Sequence, residues 1–286
     1  MVRTPSGPVR VTIAQIEVSN DHAANLLVVR SAFTEAQRLR ADLLVLPEYA
    51  SGFDPRGVGV EHAEPLDGPF VTTLQRWAAE TGVAVIAGTT LPGTGTGTGA
   101  ATSSAAARAV NAVVAIDGGG HRVGVYRKVH LYDAFGHRES DRLEPGPVDA
   151  APTTMTVGGL TFGVMTCYDL RFPESARRLV DAGADVLVVP AAWAAGDLKA
   201  DHWRTLARAR AIENTSVVLA VGQAGKGVTG RSLLVGPDGQ VGLELDERAS
   251  LRTADVDPGA LGAVREANPS LANRRYAVVP KDQQQR

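Results

Sequence analysis

Short apolar runs that alternate with helical patterns constrain the fold of this chain more than any other feature. Residues 43–46, Leu-Leu-Val-Leu, contain no polar side chain, as expected for a strand that is covered on both faces. Before this run, apolar residues such as Val29, Phe33 and Ala36 recur with helical spacing. The sequence therefore predicts a helix over about 20–40 that leads into a buried strand.

The same signals recur along the rest of the chain. Further helices are predicted over about 69–80, 173–182 and 198–213. Further strands are predicted over 9–16, 83–88, 112–116, 123–126, 153–157, 160–166, 186–189 and 217–221, with a hairpin near 237–239. Helices thus alternate with strands in both halves, whereas the stretch from 83 to 131 contains strands only. That mixture predicts large mixed sheets with helices outside them, a layered α/β fold.

The length of 286 residues is near the upper limit for one hydrophobic core. We therefore expect a single domain over 1–286, with its core over about 9–276. The Gly- and Thr-rich segment at 93–107 is predicted to be a flexible surface loop, and the polar tail from about 283 is predicted to fray.

The composition disfavours several classes of protein. A formal net charge of −2 gives no reason to expect nucleic acid or an anionic membrane as a partner. The single cysteine excludes an intramolecular disulfide and a multi-cysteine zinc site. We find no apolar run typical of a signal peptide or a membrane span, and we expect a cytoplasmic protein.

Three reactive side chains each come at the end of a predicted strand. They are Glu48, Lys128 and Cys167. Ligands of α/β sheets bind beyond the carboxyl ends of the strands, so these three groups could converge there. Each also has a structural interpretation. Glu48 could cap a turn, Lys128 could be a solvated edge charge, and Cys167 could be a small buried apolar residue.

The surroundings of Cys167 favour a nucleophile. An apolar strand ends at the thiol, and Pro173 then opens a helical segment, because proline is tolerated in the first turn of a helix. We expect the sulfur in a tight strand-to-helix turn, near a helix N-terminus and Arg171. Both features lower the pKa of a thiol from about 8.5 toward neutrality.

Several motifs together resemble the nitrilase superfamily of carbon–nitrogen hydrolases, and the resemblance extends over roughly 9–276. In chain order they are Leu-Pro-Glu at 46–48, Arg-Lys-Val-His at 127–130, Cys-Tyr-Asp-Leu-Arg-Phe-Pro-Glu at 167–174, Asp-His-Trp-Arg at 201–204 and Ala-Arg-Ala-Arg-Ala-Ile-Glu-Asn at 207–214. The motif at Cys167 is most similar to the Nit subgroup, the omega-amidases and deaminated-glutathione amidases. The resemblance implies a four-layer αββα sandwich that forms a homodimer or higher oligomer through helices near the active site. It implies no cofactor and no metal.

The resemblance also implies catalytic roles for a Glu-Lys-Cys triad. The thiolate of Cys167 would attack an amide carbon, and Glu48 would take the thiol proton. Lys128 and the backbone N–H of Tyr168 would stabilise the oxyanion.

A second glutamate beside the lysine is a further feature of the family. Glu139 matches it, since Glu139-Ser140 precedes a Pro-Gly pair as in relatives. By resemblance it hydrogen-bonds the lysine and helps to hold the substrate amide. Glu144 is the competing candidate.

Arg171 and Trp193 carry the prediction of the substrate. Members that hydrolyse nitriles usually continue with Trp-Glu-Asn after the cysteine, whereas residues 168–170 are Tyr-Asp-Leu, as in the amidase branch. In the Nit subgroup the arginine at the position of Arg171 binds a substrate carboxylate. By resemblance, Arg171 would bind such a carboxylate through two parallel hydrogen bonds. Alternatively, Arg171 only pairs with Asp169 or caps nearby carbonyls. Trp193 lies where relatives carry a pocket aromatic.

The sequence thus predicts a cysteine-dependent amidase that cleaves a small carboxylate-bearing amide through a thioester and releases ammonia. One alternative is an N-carbamoyl amino acid amidohydrolase. Many of those carry an arginine and a tryptophan where this chain has Leu170 and Phe172, which disfavours it. Another alternative is a non-catalytic binding or scaffold protein. His130, His202 and Trp203 are expected to be structural.

Overall fold

Twelve strands and five α-helices form the framework of the residues that the computed structural model describes, 7–94 and 107–281. The strands, numbered β1 to β12 in chain order, are Val9–Gln15, Leu43–Val45, Ala84–Pro92, Ala109–Ile116, Arg122–Arg127, Thr154–Val157, Leu160–Val164, Val186–Ala191, Val217–Gly222, Leu233–Val235, Val241–Glu244 and Ser250–Val256. The helices, α1 to α5, are His22–Arg38, Pro69–Thr81, Pro173–Asp181, Lys199–Asn214 and Pro258–Ala267.

The strands form two six-stranded mixed sheets that share one plan. The first sheet has the order β12-β1-β2-β3-β4-β5 and the second has the order β11-β10-β9-β8-β7-β6. In the first, β1, β2 and β3 are parallel, and in the second β7, β8 and β9 are parallel. The remaining pairs are antiparallel. Each sheet therefore has a parallel centre, whose carboxyl ends lie at one edge.

The apolar runs are continuous because each sheet is covered on both faces. Along β2, Leu43 and Val45 pack into the core between the two sheets, whereas Leu44, and Leu46 just after the strand, pack among side chains of α1 and α2. In the second sheet, the strand β8 likewise alternates between the central core and an outer core shared with α4. The layers are thus helices, sheet, sheet, helices, which confirms the four-layer αββα sandwich.

Most predicted elements match the structure, with differences at their ends. The strands β3 and β4 extend further than predicted, and the sequence analysis missed β12 and α5. β12 is an edge strand in which only Val256 is buried, and it pairs with β1, near the other end of the chain. Most of the predicted loop over 93–107 and the tail from 283 lie outside the described residues.

Candidate active site

Three buried side chains meet where the two sheets present the ends of their strands. Glu48 follows β2, Lys128 directly follows β5, and Cys167 follows β7. Glu48 and Lys128 are each 1% exposed and Cys167 is 8% exposed. The Nζ of Lys128 lies 3.0 Å from Glu48 Oε1. The convergence that the strand ends suggested is therefore present in the structure.

The carboxylate of Glu48 is fixed by donors on both oxygens. Its Oε1 accepts from Asn111 Nδ2 at 2.6 Å and from Lys128 Nζ at 3.0 Å. Its Oε2 accepts from the backbone N–H of Ala192 at 2.6 Å. The side-chain amide of Gln223 donates to the backbone carbonyl of Glu48 at 2.7 Å. Both the backbone and the carboxylate are therefore held in one position, as a catalytic group requires.

The ammonium of Lys128 bridges two carboxylates. Besides Glu48, it lies 3.0 Å from Glu139 Oε2. Burial alone would lower the pKa of Lys128, but the charges of Glu139 and Glu48 outweigh it and raise that pKa well above its usual value. Lys128 therefore stays protonated across the neutral range.

Glu139, and not Glu144, is the glutamate that contacts the lysine. The hydroxyl of Tyr49 donates to Glu139 Oε1 at 2.5 Å, and the backbone N–H of Tyr132 donates to its Oε2 at 2.7 Å. Glu144 instead accepts from the backbone N–H and hydroxyl of Thr94. Of the two candidates that the sequence left open, only Glu139 therefore contacts Lys128 among the described residues.

Cys167 sits in a strained turn between a strand and a helix, as predicted. Its backbone φ of 46° lies in the left-handed region, which residues other than glycine rarely adopt. It begins a 3-10 helix, Cys167–Arg171, that is capped by a reciprocal pair of hydrogen bonds between Thr166 and Asp169. The turn holds the thiol in place at the head of this short helix.

The predicted lowering of the thiol pKa is wrong in direction. Burial raises the pKa of Cys167 well above its usual value, and the negative charge of Glu48 adds to that increase. The ammonium of Lys128 acts in the opposite direction and is outweighed. The reason is that the sulfur is buried and that the carboxylate of Glu48 affects it more strongly than the ammonium of Lys128 does. The resting thiol is therefore protonated, and a base must remove its proton.

Asp169 is fully engaged away from Arg171. Its side chain accepts from the hydroxyl of Tyr126 at 2.7 Å and lies 2.7 Å from Nδ1 of His130. The ring of His130 stacks on Phe172 with centroids 3.8 Å apart. These contacts hold the ring of His130 in place. They also occupy the carboxylate of Asp169, which therefore does not pair with Arg171.

A small pocket opens beside the thiol. Cys167, Tyr168, Arg171 and Trp193 all line it, so four predicted residues share one cavity. The guanidinium of Arg171 lies 4.9 Å from the ring centroid of Trp193, and its Nη2 lies 3.3 Å from Nδ1 of His202. The buried Nε of Arg171 has no hydrogen-bond partner among the described residues. A cationic side chain thus faces the pocket beside the thiol.

Sequence reasoning missed three polar residues of this region. Asn111 and Gln223 hold Glu48, and Lys199 lines the pocket. Asn111 left a signal, because it is a fully buried amide inside the otherwise apolar strand β4. The sequence contains no such signal for Lys199, because a lysine at the start of a predicted helix is expected to face solvent.

Over 7–94 and 107–281, there is no group of three or more His, Cys, Asp or Glu side chains that could hold a metal ion. Over the same ranges, no helix is long and apolar enough to cross a membrane.

Comparisons with known proteins agree with this fold. The family described as carbon-nitrogen hydrolase matches residues 10–266. The deaminated glutathione amidase of Escherichia coli O157:H7 is 36% identical over 269 residues, which cover 93% of this chain and 97% of that protein.

Solved structures are similar over nearly the whole chain. A CN-hydrolase superfamily protein of Xanthomonas campestris with an arsenic adduct in its active site gives a TM-score of 0.82 at 26% identity, covering 96% of this chain and 99% of that one. A mutant of the amidase from Nesterenkonia sp. AN1, with acrylamide added at the active-site cysteine, gives a TM-score of 0.72 at 25% identity. It covers 91% of this chain and 97% of its own.

The family match and the amidase relatives indicate a hydrolase that acts on carbon–nitrogen bonds other than peptide bonds. This chain belongs to the carbon–nitrogen hydrolase family of the nitrilase superfamily.

Proposed function

We propose that the protein is a cysteine-dependent amidase that hydrolyses a small, linear, carboxylate-bearing amide and releases ammonia. One observation carries the proposal. The thiol of Cys167 interacts with the buried, paired side chains of Glu48 and Lys128, and it lines a pocket together with Arg171, which has no carboxylate partner among the described residues. The buried pair suits the chemistry of an amide, and the arginine suits the recognition of an anion.

Acylation begins with proton transfer from the thiol of Cys167 to Glu48, as the sulfur attacks the amide carbon. Because the pKa of this thiol is raised by burial, little thiolate exists before the substrate binds, and the carboxylate must act as a general base. The carbonyl oxygen becomes an oxyanion as the new C–S bond forms. Glu48 then returns the proton to the amide nitrogen, the C–N bond breaks, and ammonia leaves a thioester on the enzyme.

Lys128 and the backbone N–H of Tyr168 stabilise the oxyanion. An ammonium has three N–H donors, and Lys128 directs two of them to Glu48 and Glu139. The third is then available for the developing negative charge. Glu139 fixes the direction of these bonds, since it is itself held by Tyr49 and by a backbone N–H.

Deacylation repeats the same steps with water. Glu48 takes a proton from the water molecule as its oxygen attacks the thioester carbon. The C–S bond then breaks, the thiol of Cys167 regains a proton, and a carboxylic acid is released. No further group is needed, because one carboxylate accepts and returns a proton in each half of the cycle.

A carboxylate on the substrate is the partner proposed for Arg171. Its guanidinium faces the pocket, its Nε has no partner among the described residues, and Asp169 is occupied elsewhere. A planar guanidinium binds a carboxylate through two parallel hydrogen bonds. The name of the similar protein from E. coli, deaminated glutathione amidase, supports this substrate class.

We further propose that the protein is a cytoplasmic homodimer or higher oligomer. Large apolar side chains are exposed on α4 and on the C-terminal segment, at Ile212, Tyr276 and Val279. The only cysteine is a free thiol, which suits a reducing compartment. Sedimentation equilibrium tests the oligomer, and fractionation of cells that produce the protein tests the location.

Ammonia release from a panel of amides tests the proposed activity. The panel contains 2-oxoglutaramate, deaminated glutathione, an N-carbamoyl amino acid, a short aliphatic amide and a nitrile, each assayed with wild type and Cys167→Ala. We expect cysteine-dependent turnover of one of the first two substrates. Turnover of the carbamoyl compound alone would overturn the substrate class, and turnover by Cys167→Ala would overturn the nucleophile.

A further inference from the structure

Lys199 is a second cation in the pocket beside the thiol. It begins α4, and its side chain is buried, with the residue only 7% exposed. Its Nζ donates to the hydroxyl of Tyr132 at 2.7 Å and lies 3.5 Å from the ring centroid of Phe135. The same pocket is lined by Arg171. Two cationic side chains thus border one small cavity.

Neither cation has a carboxylate partner within the described residues. There, no Asp or Glu oxygen lies within 4.0 Å of the charged nitrogens of Lys199 or Arg171. The carboxylates of Glu48 and Glu139 are already paired with Lys128. Buried charges are normally paired, because removing an isolated charge from water is costly. The pocket therefore has an excess of positive charge that nothing in the described chain neutralises.

This arrangement of charges affects the pKa of Lys199. Burial lowers the pKa of Lys199, and the positive charge of Arg171 lowers it further. An anion bound between the two side chains would oppose both effects, since it would supply the missing counter-charge to each. The negative group would lie in the same cavity as Cys167.

We propose that Lys199 is a specificity-determining residue that binds the substrate carboxylate together with Arg171. This inference rests on the proposed amidase function and adds a second ligand to its carboxylate subsite. Arg171 supplies the planar, bidentate donor, and Lys199 supplies a point charge that is held in place by Tyr132 and Phe135.

A purely structural role for Lys199 makes a different prediction. Its ammonium lies against the rings of Tyr132 and Phe135, and such cation–π contacts could serve only to hold these two aromatic residues against the start of α4. In that case, removing the charge would affect every substrate alike. If Lys199 binds a carboxylate, removing the charge affects only substrates that carry one.

A pair of isosteric substrates separates the two roles. Succinamate carries a carboxylate where succinamide carries a neutral carboxamide of the same shape. The values of kcat/KM for ammonia release are measured for both compounds with wild type, Lys199→Met and Lys199→Arg. Lys226→Met is the matched control, because Lys226 is exposed and lies outside the pocket. Thermal unfolding of each variant is recorded alongside.

We expect Lys199→Met to lower kcat/KM for succinamate about 10- to 100-fold, mainly through KM, as removal of a hydrogen bond to a charged group does. Turnover of succinamide should stay within about twofold of wild type, and Lys199→Arg should retain part of the preference for succinamate. Lys226→Met should change neither value. If Lys199→Met lowers kcat/KM equally for succinamate and succinamide, or changes neither value, the inference is overturned while the amidase proposal stays intact. Failure of the wild type to release ammonia from any carboxylate-bearing amide, at any concentration, would instead refute the proposed function on which the inference rests.

Discussion

Gly88→Ala is expected to displace the backbone that carries the proposed general base. Gly88 lies on β3, and its backbone N–H donates to the carbonyl of Pro47. A Cβ added at Gly88 would lie 2.4 Å from the Cα of Glu48 and 2.6 Å from the backbone N of Tyr49. These neighbours are backbone atoms, so no flexible side chain can move aside.

The size of the displacement follows from these distances. A Cβ at 2.4 Å falls about 1 Å short of ordinary van der Waals contact, which begins at 3.4 Å. Glu48 must therefore move by about that amount, and a misplacement of about 1 Å can cost about 10²-fold in rate. Overpacking of this kind also destabilises a protein by about 1–3 kcal/mol. We expect a loss of about 10²-fold in kcat/KM for ammonia release and a lower Tm.

Gly262→Ala is the matched control for this variant. Gly262 lies within α5, and a Cβ there would meet no atom within 4 Å. Alanine in place of glycine inside a helix stabilises by about 0.5–1 kcal/mol, so activity should be unchanged and Tm slightly raised. Wild-type kcat/KM and Tm for Gly88→Ala would refute the argument that the close approach of this glycine positions Glu48.

Two further predictions concern charges around the thiol. Glu48→Gln removes a negative charge that raises the pKa of Cys167, so the thiol pKa should fall while turnover drops about 10²- to 10⁴-fold, as expected on loss of a general base. The ultraviolet absorbance of the thiolate against pH, with Cys167→Ala subtracted, measures this, and a thiol pKa that rises or stays constant would contradict it. Glu139→Gln should lower kcat/KM about 10²-fold because Lys128 loses a fixed, charged partner, whereas Glu144→Gln should stay within about twofold of wild type. Ammonia-release kinetics of the pair test this, and equal effects would show that contact with Lys128 is not what matters.

The sequence could predict the arrangement of Glu48, Lys128 and Cys167 because each follows a recognisable strand. Apolar runs reveal buried strands, and the carboxyl ends of parallel strands meet at one edge of a sheet. The turn at Cys167 was also predictable, since Pro173 sets the start of the following helix. These features depend on residues that are close together in the chain.

The remaining features depend on contacts between distant segments. The pKa of Cys167 rises because the sulfur is buried and because carboxylates from distant parts of the chain lie near it, and neither the burial nor those neighbours can be predicted from the local sequence. The place of Lys199 depends on how α4 packs on the second sheet, where Trp203 is fully buried and lies 5.1 Å from Trp193 between ring centroids. Asn111 lies just before the predicted strand over 112–116. A prediction that began the strand one residue earlier would have revealed a polar residue within an apolar run.

Rapid acid quench followed by intact-protein mass spectrometry tests the central claim most directly. During turnover of 2-oxoglutaramate or succinamate, the account predicts a protein whose mass has increased by the acyl group, with one equivalent of ammonia released as this species forms. Peptide mapping should place the acyl group on Cys167, and Cys167→Ala should show neither the adduct nor turnover. Ammonia release by Cys167→Ala, or an acyl group on any other residue, would contradict the account.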